Sequence, residues 1–390
     1  MSDLLPRQAD VIVIGGGVIG ASVAYHLSRK NLDVLVLEKS DFASGTSSAC
    51  DGMVFLQSKK PGVHLELAMA SRKRFDDLAE ELDSDIELRS NGGMITIRSE
   101  AELQAVKCLA EEQKRIGLDV SLLDGRQAMD LEPCLSGEIL AAAFCPLDAQ
   151  VNPIYLTLAF LKAAKRHGAR LFSRTPVGAI HVKGGRIHAV STPRGVVESK
   201  TVVNAAGVYA PQVGKMVGLD VPITPRRGQV LVTEPLPSIL TRCLLSAKYL
   251  AAKYDPGLVG GENPGISIEQ TRNGNFLLGS TREFVGFDKR TTPEAMKKIL
   301  AETTLIIPRL RDAHLIRTFA GLRPYTPDGL PILGRVPSVE GFIMAAGHEG
   351  DGMALSPITG QLMAELIADG KPSISLEPLG LERFSLPEPS

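Results

Sequence analysis

Residues 10–20 read Asp-Val-Ile-Val-Ile-Gly-Gly-Gly-Val-Ile-Gly, an apolar run of strand length that ends in a cluster of glycines. The β-branched composition of residues 11–14 predicts a buried strand, and the small and apolar residues between 21 and 30 predict a helix after the glycines. Strand, glycine turn and helix in this order are typical of the βαβ unit that binds dinucleotides. A Rossmann-type unit is therefore expected in this part of the chain.

The spaced glycines have separate physical roles in such a turn. Gly15 permits a tight turn, Gly17 lets the backbone approach a pyrophosphate, and Gly20 allows the helix to pack closely against the strand. The helix N-terminus adds free N–H groups and the positive end of the helix dipole, which favour a phosphate. The residues expected to contact the cofactor here are Gly15, Gly17, Val18, Ile19 and Gly20.

A second apolar strand is predicted over residues 32–38, and it ends in the carboxylate of Glu38. An acidic residue about 20 residues after the glycine turn accepts both hydroxyls of an adenosine ribose. The same charge disfavours a 2′-phosphate, and so NADP. FAD and NAD share this signature, so both remain open at this point.

The loop over residues 39–54 is rich in small residues, hydroxyls and backbone donors, with the sequence Lys-Ser-Asp-Phe-Ala-Ser-Gly-Thr-Ser-Ser-Ala-Cys-Asp-Gly-Met-Val. Such a loop can wrap the second half of a dinucleotide, although a surface loop without that role is the alternative. The candidate cofactor contacts here are Lys39, Gly45, Thr46, Ser47, Ser48, Gly52 and Met53.

Bulk composition excludes several classes of function. The 390 residues contain 43 Lys and Arg against 44 Asp and Glu, a net charge of -1 that offers no field for nucleic acid or an anionic membrane. The most apolar stretch, residues 11–24, is interrupted by four glycines and is not expected to span a membrane. The N-terminus shows no secretion-signal pattern. Two domains, a small ligand and a cytoplasmic location are expected.

The five cysteines are scattered and form no C-x-x-C pair. This spacing argues against zinc or an iron–sulfur cluster held by this chain alone, so no metal site is expected. We expect the cysteines to act as small buried hydrophobic residues.

Further segments give the sequence a resemblance to the D-amino-acid oxidase superfamily of FAD enzymes, which includes glycine oxidases and sarcosine oxidases. The loop at residues 39–54 is similar to that family's Gly-Thr/Ser-Ser stretch, and Ala206-Gly207 matches its "A-T/A-G" element after a strand. Residues 174–177 resemble the strand whose valine pairs with adenine, which implies a contact from Val177. FAD, rather than NAD, is therefore the implied cofactor.

Two blocks in the last third, residues 319–334 and 341–360, look like glycine oxidase and its relatives. The second block predicts a strand, a glycine-rich loop and a helix from about residue 356 to 368, whose N-terminus would face the flavin pyrimidine. The contacts that the resemblance implies are Gly321, Arg323, Gly347, Gly350, Asp351, Gly352 and Met353, with His348 beside them.

The fold implied by the resemblance is α/β with an α+β substrate domain. A discontinuous Rossmann-type FAD-binding domain is expected over residues 1–85, 141–223 and 322–385. A substrate domain with a mixed or antiparallel sheet is expected over residues 86–140 and 224–321. Residues 93–98 and 228–233 are predicted strands of that second sheet.

Residues 246–254 and 274–288 look closest to a multi-subunit branch of the superfamily. That branch includes hydrogen cyanide synthase, opine oxidase, hydroxyproline dehydrogenase and the β chain of dye-linked proline dehydrogenase. Oxygen is one possible electron acceptor, but this branch implies a partner subunit that carries or shares FMN, an iron–sulfur centre or a second flavin. The branch also implies peripheral contact with the inner membrane face through partners. It also implies Tyr249 and Tyr254 as candidate catalytic residues.

Departures from the family limit what can be transferred. Sarcosine oxidases attach flavin to a cysteine where this chain has Arg323-Pro-Tyr-Thr, so FAD is expected to be non-covalent. Glycine oxidases carry an arginine in the last loop, where this chain reads His348-Glu-Gly-Asp351. His348 is expected to serve the structure of the loop more than to act as a base.

The function predicted from these residues is oxidation of a carbon–nitrogen bond in an amino or imino acid. Arg323 is the predicted clamp for the substrate carboxylate, because a guanidinium binds a carboxylate through two parallel hydrogen bonds. The alternative is that Arg323 only pairs with Asp328 or Asp351. Rival functions are a flavin-dependent hydroxy-acid oxidoreductase and a non-catalytic FAD-containing scaffold.

Overall fold

The computed structural model describes residues 4–254 and 265–384, except for the side chains of residues 252 and 254. The strands in this part of the chain are β1 (Val11–Ile14), β2 (Val34–Leu37), β3 (Met53–Val54), β4 (Gly93–Ile97), β5 (Ser121–Asp124), β6 (Ala141–Cys145), β7 (Ala149–Gln150), β8 (Arg170–Phe172), β9 (Ala179–Lys183), β10 (Arg186–Thr192), β11 (Gly195–Glu198), β12 (Thr201–Asn204), β13 (Thr224–Pro235), β14 (Cys243–Ser246), β15 (Ser267–Gln270), β16 (Asn275–Gly279), β17 (Leu315–Tyr325), β18 (Ile332–Arg335) and β19 (Phe342–Ala346). The helices are α1 (Val18–Ser28), α2 (Val63–Glu81), α3 (Glu100–Arg115), α4 (Gly125–Leu131), α5 (Pro153–Arg166), α6 (Ala210–Lys215), α7 (Ala247–Tyr254), α8 (Pro293–Ile306) and α9 (Gly352–Ala364).

A six-stranded sheet with the order β18-β19-β12-β1-β2-β8 contains the strand of the opening signature. Its neighbouring strands are parallel except at the edge, where β18 runs antiparallel to β19. Strands of a parallel sheet are buried on both faces and read as continuous apolar runs, which is why all four residues of β1 are buried. The predicted strand, glycine turn and helix are confirmed.

Helices α1, α2, α5 and α9 pack on one another beside this sheet. Helices α1 and α9 approach so closely that a Cβ atom at Gly360 would lie 2.2 Å from the Ser22 hydroxyl. Helix α9 begins at Gly352, four residues before the predicted start, and includes Pro357. Proline has no N–H for the carbonyl of Met353, and the Ser356 hydroxyl donates to that carbonyl instead.

An eight-stranded sheet with the order β17-β13-β16-β15-β14-β4-β6-β5 forms the second layer of the molecule. Its strands pair antiparallel except for β14 and β4, so the predicted mixed sheet is confirmed. The predicted strands at residues 93–98 and 228–233 both belong to it, the second as part of the long strand β13. Apolar residues of this sheet and helix α8 form their own core, with Phe276 and Ile299 fully buried.

Two of the predicted domain boundaries do not coincide with the edges of the larger sheet. The predicted boundary at residue 141 places strand β6 in the FAD-binding part, yet β6 pairs with β4 and β5 in the larger sheet. Strand β17 crosses the boundary expected between residues 321 and 322, and it pairs along its length with β13. Because β17 continues from the larger sheet to the cavity described below, one strand serves both layers.

Candidate active site

A cavity of about 450 Å³ lies where the carboxyl ends of β1, β12 and β19 meet residues of β13 and β17. Ligands of open α/β sheets bind outside the carboxyl ends of the strands, where the glycine turn also lies. The cavity wall includes Glu38 beside the glycine turn, which we call the Glu38 end, and Arg323 and Tyr249 from the side of the larger sheet, which we call the Arg323 end. The cavity therefore lies between the glycine turn and the larger sheet.

The glycine turn is built so tightly that side chains would not fit. Gly15 has a φ of 116°, and a Cβ atom there would lie 2.4 Å from the carbonyl oxygen of Ala205. A Cβ atom at Gly20 would lie 2.0 Å from the carbonyl oxygen of Gly15, as expected for close helix–strand packing. Gly17 is the N-cap of α1 and carries no side-chain cap. The start of α1 thus faces the cavity with backbone groups.

Glu38 follows β2 and lines the cavity. Its Oε2 accepts a hydrogen bond from the Gly16 N–H at 2.7 Å, and its Oε1 accepts one from the Ser40 N–H at 2.8 Å. A carboxylate oxygen has two lone-pair sites, so each oxygen keeps one for a further donor. The arrangement holds the carboxylate where a ribose hydroxyl could donate to it.

The loop of small residues after Glu38 is fixed to both layers of the protein. The Ser47 hydroxyl accepts a hydrogen bond from the Val18 N–H at 3.0 Å, at the start of α1. The Thr46 hydroxyl donates to the carbonyl of Leu322 in β17 at 2.6 Å. Gly321 lies so close to the loop that a Cβ atom would be 2.0 Å from the carbonyl of Ala49. This loop is therefore a wall of the cavity and not a loose surface segment.

The loop between β19 and α9 closes another side of the cavity. Gly347 and Glu349 both have positive φ, 79° and 51°, so the chain turns sharply there. His348 is buried, and its Nε2 lies 3.0 Å from the Thr359 hydroxyl. Burial lowers the pKa of His348 to about 3, so the ring is neutral. This geometry supports the predicted structural role of His348.

Asp351, predicted as a cofactor contact, faces away from the cavity. Its carboxylate lies 2.8 Å from the ammonium groups of both Lys59 and Lys253 and 3.0 Å from the His64 ring. Burial opposes its ionisation, but the two lysines outweigh that effect and hold the pKa of Asp351 well below its usual range. Asp351 therefore stabilises the base of the loop instead of lining the site.

Most of the predicted site residues lie together on the cavity wall. They are Gly15, Gly17, Val18, Ile19, Glu38, Lys39, Gly45, Thr46, Ser47, Met53, Val177, Ala206, Gly207, Tyr249, Gly321, Arg323, Gly347, His348, Gly350, Gly352 and Met353. Val177 does so from an irregular segment after β8, not from the expected strand. Tyr254 ends helix α7, and its side chain lies outside the described residues.

Three further predicted contacts, besides Asp351, do not line the cavity. Gly20 is a buried residue of α1 that packs against the backbone of Gly15. Ser48 is exposed, and its hydroxyl donates to the carbonyl of Gly45 at 3.4 Å. The Gly52 N–H donates to the carboxylate of Glu269 at 3.1 Å, and a Cβ atom at Gly52 would be 1.8 Å from the carbonyl of Val151. The backbone of Gly52 is thus already committed to another partner.

Arg323 lies on β17 at the end of the cavity away from Glu38, with its side chain 12% exposed. Its Nη1 donates to the Thr281 carbonyl at 3.0 Å and its Nη2 to the Ser280 hydroxyl at 2.5 Å. Its Nε lies 3.9 Å from Glu349. The alternative pairs are not formed, because Asp328 bonds to Arg383 and Asp351 to the lysines.

Two more arginines, which the sequence did not indicate, surround this end of the site. Arg226 is fully buried and forms an ion pair with Glu349. Arg282 is 6% exposed, and its guanidinium carbon lies 4.0 Å from the centre of the Tyr249 ring. Burial opposes ionisation of Glu349, but Arg226 and Arg323 outweigh it and lower the pKa of Glu349 to about 2.

An acidic pair lies on the same side of the cavity, and it too was not foreseen. Asp51 lines the wall and accepts a hydrogen bond from the Ser267 hydroxyl at 3.2 Å. Glu269 is buried beside it, and burial together with the charge of Asp51 raises its pKa to about 8. Cys50 lines the cavity next to this pair, and burial raises the pKa of its thiol well above the usual value.

The cysteines are placed less uniformly than expected. Cys145 and Cys243 are buried, whereas Cys108 is exposed on α3. Within residues 4–254 and 265–384, no three acidic, histidine or cysteine side chains are grouped to hold a metal ion. No helix in the same residues is long and apolar enough to cross a membrane.

Residues 10–366 match the protein family described as "DAO: FAD dependent oxidoreductase". The chain belongs to this family. The match covers the six-stranded sheet, the larger sheet and every predicted site residue named above, so the resemblance inferred from separate motifs is confirmed. As a member of the family, the chain is an FAD-dependent oxidoreductase.

Individual relatives are similar over almost the whole chain. Glycine oxidase of Geobacillus kaustophilus is 32% identical over 387 residues, 97% of this chain and 98% of that protein. The hydrogen cyanide synthase subunit HcnC of Pseudomonas aeruginosa is 30% identical over 426 residues, 98% of each. The crystal structure of L-proline dehydrogenase from P. horikoshii has a TM-score of 0.90 at 27% identity, covering 98% of this chain and 99% of that chain.

The residues of the cavity fit the cofactor that the family requires. The backbone of the glycine turn and the start of α1, whose N-cap Gly17 has no capping side chain, suit a pyrophosphate, and Glu38 suits a ribose. The start of α9 at Gly352 is also without a side-chain cap and lines the cavity, as a group that gains negative charge on reduction would require. Residue 323 is an arginine, so the thioether link of sarcosine oxidases has no counterpart there.

Proposed function

We propose that this chain oxidises the carbon–nitrogen bond of an amino or imino acid, of the kind of proline, hydroxyproline, glycine or an opine. The observation that carries the proposal is Arg323, a guanidinium held at the cavity wall opposite the dinucleotide end. When bound, FAD would supply the acceptor for the hydride, which carries the two electrons of the oxidation away from the substrate. The protein's part is then to hold a carboxylate and present the adjacent Cα–H bond.

Arg323 is suited to this task because its orientation is already set. The hydrogen bonds to Ser280 and Thr281 hold the plane of the guanidinium before a substrate arrives. A carboxylate that pairs with the remaining donors would be fixed in plane as well as in distance. The nearest acid, Glu349, lies at 3.9 Å and pairs more closely with Arg226, so it does not satisfy Arg323.

The substrate amine must lose a proton before hydride transfer, so a group at the cavity wall has to accept that proton. His348 is neutral and bound to Thr359, which makes it a poor base at neutral pH. Asp51 lies on the cavity wall with Glu269 behind it. We assign the acidic pair of Asp51 and Glu269 to holding the ammonium group or accepting its proton. The names of the relatives, glycine oxidase and L-proline dehydrogenase, support an amino or imino acid as the substrate.

The decisive experiment is anaerobic reduction of the bound flavin by matched substrates. Glycine, proline and hydroxyproline in both stereoisomers would be compared with glycolate, lactate and other hydroxy acids of the same carbon skeleton. Bleaching by one amino or imino acid, without bleaching by its hydroxy analogue, supports the proposal. Bleaching by hydroxy acids alone would establish the rival oxidoreductase. No bleaching by either panel, with dithionite still effective, would favour a non-catalytic FAD scaffold.

We also propose that the chain is the catalytic subunit of a dehydrogenase complex that passes electrons to a partner subunit carrying FMN or an iron–sulfur centre. The support is the similarity to a subunit of hydrogen cyanide synthase. Such a complex would work in the cytoplasm or, through its partners, at the inner membrane face. The purified chain should reoxidise slowly in air and rapidly with an artificial dye. Fast peroxide formation by the isolated chain, with dye giving no further acceleration, would contradict this role.

A further inference from the structure

Arg282 has a buried guanidinium whose nitrogen atoms have no hydrogen-bond partner among the described residues. All three nitrogens are shielded from solvent, and the residue is 6% exposed. Arginines in protein interiors normally have their donors satisfied, because a buried charge without partners is costly. Burial accordingly lowers the pKa of Arg282. The residue is therefore placed for an acceptor that the described part of the chain does not supply.

The contact with Tyr249 does not meet this need. The guanidinium carbon lies 4.0 Å from the centre of the Tyr249 ring, which covers one face of the group. The N–H donors of a guanidinium point outward in its plane, so stacking on a face leaves them without acceptors. Tyr249 lines the cavity, which places Arg282 directly behind the cavity wall.

The charges around Arg282 point to an anion. Arg226, Arg282 and Arg323 all act on the one carboxylate of Glu349. Glu349 pairs closely with Arg226 and lies 3.9 Å from Arg323, and among the described residues no acid pairs with Arg282. Asp51 is the other acid that acts on the Tyr249 ring, and its carboxylate is bonded to Ser267. Three arginines thus face the carboxylates of Glu349 and Asp51, so the cluster carries an excess of positive charge that an anionic ligand would balance.

Arg282 and Arg323 are also tied together by the backbone. Ser280 and Thr281, which hold the Arg323 guanidinium, directly precede Arg282 after β16. One short segment therefore fixes both arginines at the substrate end of the cavity. A ligand that places one carboxylate on Arg323 has the second guanidinium behind the adjacent wall.

We propose that Arg282 binds a second carboxylate of the substrate, so that this site takes amino or imino acids with two carboxylates. The inference rests on the proposed function, in which Arg323 binds the first carboxylate. Because the Arg282 donors are shielded from solvent, the Tyr249 ring must swing aside when the acid binds. An uncharged or amide side chain would leave Arg282 unpaired and would therefore be a poor substrate.

The test compares acids with their isosteric amides in anaerobic flavin reduction by the purified holoenzyme. The probe pairs are glutamate and glutamine, aspartate and asparagine in both stereoisomers, and iminodiacetate with its monoamide. We expect the wild type to favour the acid by roughly 30-fold or more in the second-order rate of reduction, as for a buried charge pair. Arg282→Met should bring that ratio close to one, and Arg282→Lys should restore part of it.

Arg290→Met is the control, because Arg290 has an 87% exposed side chain on the loop that follows the same segment. It should keep the wild-type preference, and all variants should keep their FAD. An acid-to-amide rate ratio near one in the wild type, or an unchanged ratio in Arg282→Met, overturns the inference. If amino acids still reduce the flavin in that case, the proposed function stands.

If no amino or imino acid reduces the flavin, the proposed function fails. Ligand binding without reduction then tests the inference about Arg282. Glutarate and its monoamide would then be titrated against the flavin absorbance spectrum. Tighter binding of glutarate by the wild type but not by Arg282→Met supports a carboxylate site at Arg282. Equal binding of the two ligands by the wild type overturns it.

Discussion

The two ends of the cavity are built from different groups. At the Glu38 end, backbone N–H groups and glycines form the surface, and one carboxylate is held by the N–H groups of Gly16 and Ser40. At the Arg323 end, buried charged side chains from β13, β17 and two loops face one another, and Glu349 forms ion pairs with Arg226 and Arg323. At the Glu38 end the carboxylate has hydrogen-bond partners within the protein. At the Arg323 end positive charge remains that a ligand could pair with.

This contrast teaches where each kind of substitution should act. An end made of backbone depends on the absence of side chains and on a few hydrogen bonds, so changes there should alter cofactor retention. An end made of buried charges depends on desolvation and pairing, so changes there should alter pH dependence and substrate kinetics. The following variants separate the two behaviours.

The largest effect is expected from Glu269→Gln as a function of pH. The pKa of Glu269 is raised from 4.5 to about 8, by burial first and by the charge of Asp51 second. Between these values the unfolded chain loses this proton while the folded protein keeps it, so the folded state loses stability as pH rises. The free energy of unfolding of the variant should therefore rise relative to that of the wild type between about pH 5 and 8, by at most about 5 kcal/mol.

Thermal unfolding at saturating FAD from pH 5 to 9 measures this gain. Glu112→Gln, on the exposed face of α3, is the matched control and should follow the wild type. Parallel wild-type and Glu269→Gln profiles would show that the buried acid does not set the pH dependence of this end.

Arg323→Ala should cost about 2–5 kcal/mol in kcat/KM for a carboxylate substrate, because it removes one partner of a buried charge pair. Arg323→Lys keeps the charge but loses the planar fork, so its loss should be intermediate. Arg317→Ala, an exposed position on the same strand, should have wild-type kinetics. FAD content should stay constant in all three. Unchanged kinetics in Arg323→Ala would point to an amine without a carboxylate.

Glu38→Ala should act on the other end alone, and the expected effect is smaller. Losing a charged acceptor is worth about 1.5–3 kcal/mol, which should appear as faster loss of FAD during dialysis. Turnover per bound flavin should remain near the wild-type value. Asp41→Ala, an acid of the same loop with a 66% exposed side chain, is the control. Equal FAD loss in the two variants would remove Glu38 from the ribose site.

The parts that sequence alone could predict are those determined by neighbours in the chain. The strand, glycine turn, helix and Glu38 lie within 30 residues, and each has a local physical reason for its residue type. The loop with Gly45 and the block around Arg323 needed the family resemblance, because small residues alone do not define a binding surface. The same holds for the Gly347 loop, after which the helix starts at Gly352, four residues before the predicted start.

The remainder could not be predicted because it depends on contacts between distant segments. Glu269 meets the backbone of Gly52, 217 residues away, and Arg226 meets Glu349, 123 residues away. Arg282 reads as an ordinary polar residue after a strand until the fold places it behind Tyr249. Asp351 was predicted as a cofactor contact because it lies in the loop that lines the cavity. Its carboxylate instead forms ion pairs with Lys59 and Lys253.

The order of strands in the six-stranded sheet has a consequence for biosynthesis. Strand β1 emerges from the ribosome early, but its sheet is completed by β12 and β19, and the cavity wall by residues up to Met353. Joining such distant segments is slow, because long loops must close before their contacts form. We therefore expect flavin to be captured only after the segment up to Met353 has been synthesised. A fragment of residues 1–85 would display the complete dinucleotide signature and still hold no flavin.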